Sequence, residues 1–155
     1  MELIKENLEK QRAVYRKDED TVRKIWYNRP FEWLDEHCWM LDQVNPGYAK
    51  KIGWEEDHVW MDMRFIEGRL ASTFPHTTDF VYKIMDYVNK QYQTTMPYAH
   101  GDWVLSNIII NGDIIEMIDW DNLGKHPKFF VKRKIKSDLK SAFGGLYDEV
   151  LRSMA

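Results

Sequence analysis

His100-Gly101-Asp102-Trp103-Val104-Leu105-Ser106-Asn107 runs into the apolar stretch Ile108-Ile109-Ile110, turns at Asn111-Gly112, and returns as Ile114-Ile115-Glu116-Met117-Ile118 to reach Asp119-Trp120-Asp121. Asn-Gly between two β-branched runs is the strongest short-range signal for a β-hairpin, because both residues tolerate positive φ. The spacing predicts a hairpin that closes with Asn107 opposite Glu116 or Met117. Asn107 and Asp119 then lie at the same open end, and Asp102 sits on the loop that leads in. Two carboxylates and a neutral amide oxygen are thus gathered on two sides of one hairpin. Phosphoryl transfer from a metal-bound nucleotide needs such a set. One carboxylate accepts or orients the acceptor hydroxyl, while an Asn and an Asp hold the magnesium that bridges the phosphates. Two protein ligands suffice, because magnesium keeps water and phosphate oxygens for the rest of its shell. The competing reading is a plain hairpin with polar ends, since single motifs mislead.

The pattern H-x-D-x-x-x-x-N from His100 to Asn107 resembles the catalytic loop shared by protein kinases and small-molecule kinases. With Gly101 after the His, and Ile118-Asp119-Trp120-Asp121 in place of D-F-G, it is similar to the aminoglycoside phosphotransferase and choline kinase branch. The resemblance implies an α+β, two-lobed protein-kinase-like fold with ATP and Mg2+ as cofactors. It implies Asp102 as catalytic base, and Asn107 and Asp119 as catalytic residues that hold the metal. Asp121 is a further candidate, for a second ion or for orienting the loop. The stretch from Lys136-Ser137-Asp138-Leu139 to Gly144-Gly145-Leu146-Tyr147-Asp148 is similar to the ending of bacterial capsule-locus phosphotransferases.

Working back from the motif, Arg12 to Tyr27 reads as another hairpin around the polar turn Lys17-Asp18-Glu19-Asp20. Period-2 alternation puts Val22, Lys24 and Trp26 on one face, with Arg23 and Ile25 on the other. In the families resembled, the third strand carries a lysine for the α- and β-phosphates and, two positions earlier, an apolar residue that packs on adenine. Lys24 and Val22 match those positions. An exposed strand lysine is the ordinary alternative. A helix is expected from about Asn28-Arg29-Pro30, with Asn as cap and Pro in the first turn. Leu34, Cys38, Leu41 and Val44 form its buried stripe. Glu36 is the candidate partner for Lys24, with Glu32 one turn earlier as its competitor, Asp35 as the weaker alternative, and a merely solvated Glu36 as the ordinary reading.

Asn45-Pro46-Gly47 ends that helix, and two strands, Tyr48 to Trp54 and His58 to Met63, follow around an acidic turn. Met63-Arg64-Phe65-Ile66-Glu67-Gly68 resembles the inter-lobe hinge of aminoglycoside phosphotransferases, which makes Met63, Phe65 and Ile66 nucleotide-contact candidates through backbone groups. Thr77 or Thr78 can cap a helix to about Gln93 with Phe80, Ile84, Tyr87 and Val88 on its apolar face. A helical pattern covers about Phe129 to Phe143, Gly144-Gly145 breaks it, and a last short helix runs from Leu146 to Ser153.

Two departures from the resembled families stand out. Asn7-Leu8-Glu9-Lys10-Gln11-Arg12 occupies the place of the nucleotide-covering loop and contains no glycine, so its backbone cannot approach phosphates as freely. Lys10 or Arg12 can contact phosphate through side chains instead. The carboxy-terminal part is also short, which leaves the acceptor pocket open, shared with a partner subunit, or built for a large acceptor such as a glycan.

The 155 residues suit one domain, with 1–66 as an amino-terminal lobe and 67–155 as a reduced carboxy-terminal lobe. A net charge of −3 argues neither for bulk nucleic-acid binding nor for an acidic tail. The single cysteine, Cys38, rules out an internal disulfide and fits a reducing compartment. No apolar run approaches membrane-spanning length and the amino terminus lacks an apolar signal core, so a cytoplasmic setting is expected. The five histidines show no metal-ligand spacing with one another or with Cys38, so no zinc site is expected; His100 is read as a brace for the loop backbone. Between Lys125 and Lys140 seven basic residues face one acid, Asp138. Such a run is usually a solvated helix face, and the sharper alternative is an anionic acceptor or a membrane surface.

These readings converge on an α+β protein with a small antiparallel sheet and one helix, then a reduced, mainly helical lobe with the catalytic hairpin. The expected activity is transfer of the γ-phosphate of ATP to a hydroxyl of a small molecule or glycan, with Mg2+ as cofactor and no nucleic-acid partner. A homo-oligomer or partner subunit stays open. The alternatives are a degenerate pseudokinase that binds nucleotide and acts through a partner, and a basic-patch binder of membrane or nucleic-acid surfaces.

Overall fold

Strand alternation and helical periodicity are both realised in an α+β chain. The computed structural model describes residues 1–154 and divides into two compact units, the first Met1–Ile66 and the second beginning at Glu67. Among the described residues no helix is long and apolar enough to cross a membrane.

In the first unit, β1 (Glu2–Asn7), β2 (Arg12–Arg16), β3 (Thr21–Trp26), β4 (Ala49–Trp54) and β5 (Val59–Arg64) form one antiparallel sheet in the order β1-β2-β3-β5-β4. The helix α1 (Phe31–Val44) packs against β4 and β5. Cross-strand register sets Val22 opposite Met63 and Lys24 between Val14 and Met61. Trp26, on the same face, meets Trp33 of α1 edge-on at 5.4 Å. The face of α1 turned inward carries Leu34, His37 and Leu41, and His37 stacks on Trp33 at 4.9 Å. His37 therefore takes the place expected for Cys38, which is only half-buried, as is Val44. The difference is a shift of about 100° around the helix, one residue's rotation at 3.6 per turn. The helix start also differs: Pro30, not Asn28, is the N-cap, and no side chain caps it.

The opposite face of the sheet holds a buried carboxylate. Asp62 lies directly across from Arg23 and accepts two hydrogen bonds from its guanidinium, at 2.7 and 3.0 Å, and one from the Lys17 ammonium at 2.8 Å. The Arg23 guanidinium also lies 3.8 Å from the Trp60 ring centre. Burial pushes the Asp62 carboxyl upward, but the bonds from Arg23 and Lys17 more than offset it, so it stays below the ordinary carboxylate range.

In the second unit, β6 (Arg69–Leu70), β8 (Ile108–Asn111) and β9 (Ile114–Met117) make a three-stranded sheet, while β7 (Tyr98–Ala99) pairs with β10 (Gly124–Lys125). Three helices, α2 (Thr78–Thr95), α3 (Lys128–Phe143) and α4 (Gly145–Ser153), pack on one another. Thr77 caps α2 by accepting the Phe80 N–H. Val81, Ile84, Met85, Val88 and Tyr92 form the buried face of α2, so Phe80 and Tyr87 flank that stripe at intermediate exposure. On α3 the buried stripe is Val131, Ile135, Leu139 and Phe143, one residue per turn. Gly144 at φ +59 separates α3 from α4.

The β8–β9 hairpin differs from the expected one by one position. Asn111 pairs with Ile114, so the two-residue turn is Gly112-Asp113. Only Gly112 has positive φ, at +61, which matches a turn needing glycine at its first central position. At the open end Ile108 pairs with Met117, and the Ile118 N–H donates to the Asn107 carbonyl at 2.8 Å. Asn107 thus faces Ile118, immediately before Asp119.

Candidate active site

The loop from His100 to Asn107 is anchored at both ends by strands. Pairing of Ala99 with Gly124 ties its start to the segment after Asp121, and the Asn107–Ile118 bond ties its end to the segment before Asp119. Gly101 lets the chain turn between them. It sits at φ +89, and a Cβ there would come within 2.6 Å of the Asn122 carbonyl oxygen. Any other residue would force these two segments apart.

His100 joins the segments from inside. It is 1% exposed, its Nδ1 accepts the Asp102 N–H at 3.2 Å, and its Nε2 lies 2.8 Å from the Ile118 carbonyl oxygen. Because Nδ1 must accept, the proton resides on Nε2 and donates to Ile118, which fixes the neutral tautomer. Burial lowers the imidazole pKa; the Ile118 bond and the carboxylates of Asp119, Asp102 and Asp121 oppose that effect without overcoming it. One buried side chain thus links the loop holding Asp102 to the strand end holding Asp119.

Asn107 is buried, and its Nδ2 donates to Asp102 twice, to the carbonyl oxygen at 3.2 Å and to Oδ2 at 3.0 Å. Both bonds use the amide nitrogen. Oδ1, the atom suited to a cation, takes no hydrogen bond from the described residues. Asp119 adopts φ +58, a left-handed conformation that Asp tolerates better than most residues. Asp119 and Asp121 are half-exposed on either side of buried Trp120, whose indole N–H donates to the Met117 carbonyl at 3.2 Å. Among the described residues no three His, Cys, Asp or Glu side chains gather to hold a metal by themselves. An amide oxygen plus a neighbouring carboxylate suits Mg2+ that takes its remaining ligands from phosphate and water.

One contributor was missed in the sequence. Asp138, the lone acid of the basic run, accepts the Trp103 N–H at 2.9 Å through Oδ2 and the Lys134 ammonium at 2.7 Å through Oδ1. It fastens α3 to the residue after Asp102. A single acid on the half-buried side of a basic helix was the available signal.

In the first unit, Val22 and Lys24 are both buried, and the Lys24 ammonium lies 5.2 Å from the Trp26 ring centre. A lysine at 6% exposure is not the ordinary exposed strand lysine. Glu36, the expected brace for Lys24, lies on the exposed side of α1, as does Glu32, while His37 takes the inward position. Of the backbone donors expected from the sequence to meet a nucleotide, Arg64 N–H is engaged with the Tyr48 carbonyl and Phe65 N–H with the Asp20 carbonyl, each at 2.8 Å. Phe65 also lies beneath the Arg16 guanidinium at 3.6 Å. Ile66 N–H makes no such bond among the described residues, and Met63 pairs with Val22 one residue before the end of β5. The turn between β1 and β2 is closed by the Lys10 N–H donating to Asn7 Oδ1 at 3.0 Å, with Gln11 at φ +52.

The architecture is that of a small kinase-like fold. The chain is similar to solved structures of WbdD: monomeric WbdD, at TM-score 0.64 and 16% identity over 86% of this chain and 37% of that one; and WbdD in complex with the kinase inhibitor LY294002, at TM-score 0.60 and 14% identity over 95% of this chain and 44% of that one. This chain therefore spans less than half the length of these neighbours. No family model matches the chain, and no curated protein matches it by sequence.

Proposed function

We propose that the protein is a Mg-ATP-dependent phosphotransferase that moves the γ-phosphate to a hydroxyl of a small-molecule or glycan acceptor. The observation that carries this reading is the Asp102–Asn107 pair, in which the Asn107 amide orients the Asp102 carboxylate and keeps its own Oδ1 for a cation. In the proposed reaction Asp102, through the oxygen not bound by Asn107, accepts the acceptor's proton as its hydroxyl oxygen attacks the γ-phosphorus and the bond to the β,γ-bridging oxygen breaks. ADP leaves with that oxygen. Mg2+, when bound, offsets the phosphate charge; Asn107 Oδ1 and the Asp119 carboxylate would hold it, with Asp121 in reserve. Lys24 is proposed to contact the α- and β-phosphates. Val22 and Met63 would pack on adenine, and the Ile66 N–H would be the hinge donor. With ATP as donor, the proposed setting is the cytoplasm.

A phosphorylation screen over sugars, amino alcohols and aminoglycosides, run with Asp102→Asn beside the native protein, tests the reading. The variant should keep Mg-ATP binding and lose transfer by a factor on the order of 10² to 10⁴. Asn107→Ala and Asp119→Ala should weaken Mg-ATP binding yet barely affect metal-free nucleotide. Transfer at the native rate by Asp102→Asn overturns the assignment. The glycine-free turn closed by Asn7 favours a second reading, a pseudokinase that binds nucleotide without transferring it. Saturable Mg-ATP binding with no transfer to any acceptor would select that one.

A further inference from the structure

A cavity of about 350 Å³ opens between α2, α3 and α4. Its floor is apolar, with Met85, Ile135 and Leu139 nearly closed off from water. At its rim Met96 and Leu151 remain 47% and 41% exposed. One wall is a row of lysines, Lys128, Lys132 and Lys136, at i, i+4 and i+8 on α3. No acidic side chain lines the cavity, and these three lysines make no ion pair among the described residues. Elsewhere on the same helix Lys134 pairs with Asp138 and Lys140 with Asp148. The opposite wall offers the neutral amides of Asn89 and Gln93, one turn apart on α2.

We propose that this groove docks an acidic amphipathic helix of a partner protein. The lysine row spans about 12 Å along the helix axis at 1.5 Å per residue. A single phosphate or carboxylate reaches one or two of those ammonium groups and leaves the rest without a counter-charge. A helix with acids at the same i, i+4, i+8 spacing meets all three. Its neighbouring apolar stripe enters the groove and covers Met96 and Leu151, while Asn89 and Gln93 bond its polar flank. A polyanionic glycan or nucleic acid matches the lysines but leaves the aliphatic floor wet. A bilayer surface cannot enter a concave site. The groove is independent of phosphate transfer, since none of its residues belongs to the catalytic set.

The probe is a fluorescent synthetic peptide of about 16 residues, long enough to form a helix on binding, with Glu at i, i+4 and i+8 and Leu on the adjacent stripe. A scrambled peptide of identical composition and mixed phosphatidylserine–phosphatidylcholine vesicles are the comparisons. The designed peptide should bind the full chain saturably, at least tenfold tighter than the scrambled one. Lys132→Glu should weaken it about fivefold to tenfold, and raising the salt should weaken it further. Asn89→Trp, which fills the groove and leaves the lysines in place, should abolish it. Asn89 and Lys132 are both exposed, so thermal melting should show both variants folded, and Asp102→Asn should bind the peptide like the native protein. Equal binding of the scrambled peptide, or binding that survives Asn89→Trp, overturns the proposal in favour of charge attraction alone. Vesicle binding lost in Lys132→Glu, with no peptide binding, overturns it in favour of a membrane surface. No saturable binding to either probe overturns it outright.

Discussion

Replacing His100 with Phe should loosen the candidate site while leaving its shape filled. The phenyl ring keeps the contact with Trp120, whose ring centre lies 4.6 Å from that of His100, but it can neither accept the Asp102 N–H nor donate to the Ile118 carbonyl. A buried backbone group stripped of its partner costs about 1–3 kcal/mol. Asp102 and Ile118 are half-exposed, so water recovers part of the loss, and the lower half of that range applies to each. The total comes to about 2–4 kcal/mol. With a urea m-value of about 2 kcal/mol/M, the unfolding midpoint should fall by roughly 1–2 M. The pH dependence gives a second handle. Burial lowers the folded pKa of His100, so the unfolded chain takes up the proton first, near its ordinary value of about 6.5. The native protein's advantage over His100→Phe is then full above that pH. It shrinks as pH falls below it, by at most about 1.4 kcal/mol per unit. Urea melts at pH 7.5 and 5.5 measure both effects. A midpoint shift under about 0.3 M, or a gap that widens towards acid, would show that the imidazole does not hold the two segments together.

Asp62→Ala should cost about 2–3 kcal/mol, less than a fully buried pair because the Lys17 side chain is 40% exposed and can turn to water. The Asp62 carboxyl is held below its ordinary range, so its contribution is complete above the unfolded value of about 3.9 and disappears as pH falls further. Acid titrations of stability should show the two proteins converging only below about pH 4. Asp138→Ala strips the Trp103 N–H of its acceptor and should lower Tm by about 4–8 °C for a loss of about 2 kcal/mol; scanning calorimetry showing a change under 1 °C would contradict that. If the nucleotide reading holds, ATP binds in the upper micromolar range or weaker, and Lys24→Ala removes roughly ten- to a hundredfold of affinity by calorimetric titration.

Local chemistry made much of this fold legible. Alternation at Val22, Lys24 and Trp26 and the break at Gly144 each depend on neighbours within a few residues, and the chain realises them. The hairpin turn moved by one position because Gly112 alone supplies the left-handed residue, which frees Asn111 to pair with Ile114. The stripe on α1 moved for a different reason. His37 is buried by stacking on Trp33, a contact hydrophobicity alone does not rank above the thiol of Cys38. The closeness of Asp102 and Asn107 followed from spacing. The fastening of Trp103 by Asp138 did not, because it crosses 35 residues of chain and leaves no periodic trace.

Tyr98 to Lys125 contains its own fastenings: the β7–β10 ladder, the β8–β9 hairpin, and His100 between them. Two further ties come from outside the segment, β6 pairing with β8 and Asp138 of α3 accepting the Trp103 N–H. The spacing of Asp102, Asn107 and Asp119 is therefore set mostly by bonds within the segment, with α3 steadying the loop from outside through Asp138. A segment fastened this way carries most of its geometry in its own sequence, as a cassette that its neighbours steady rather than shape.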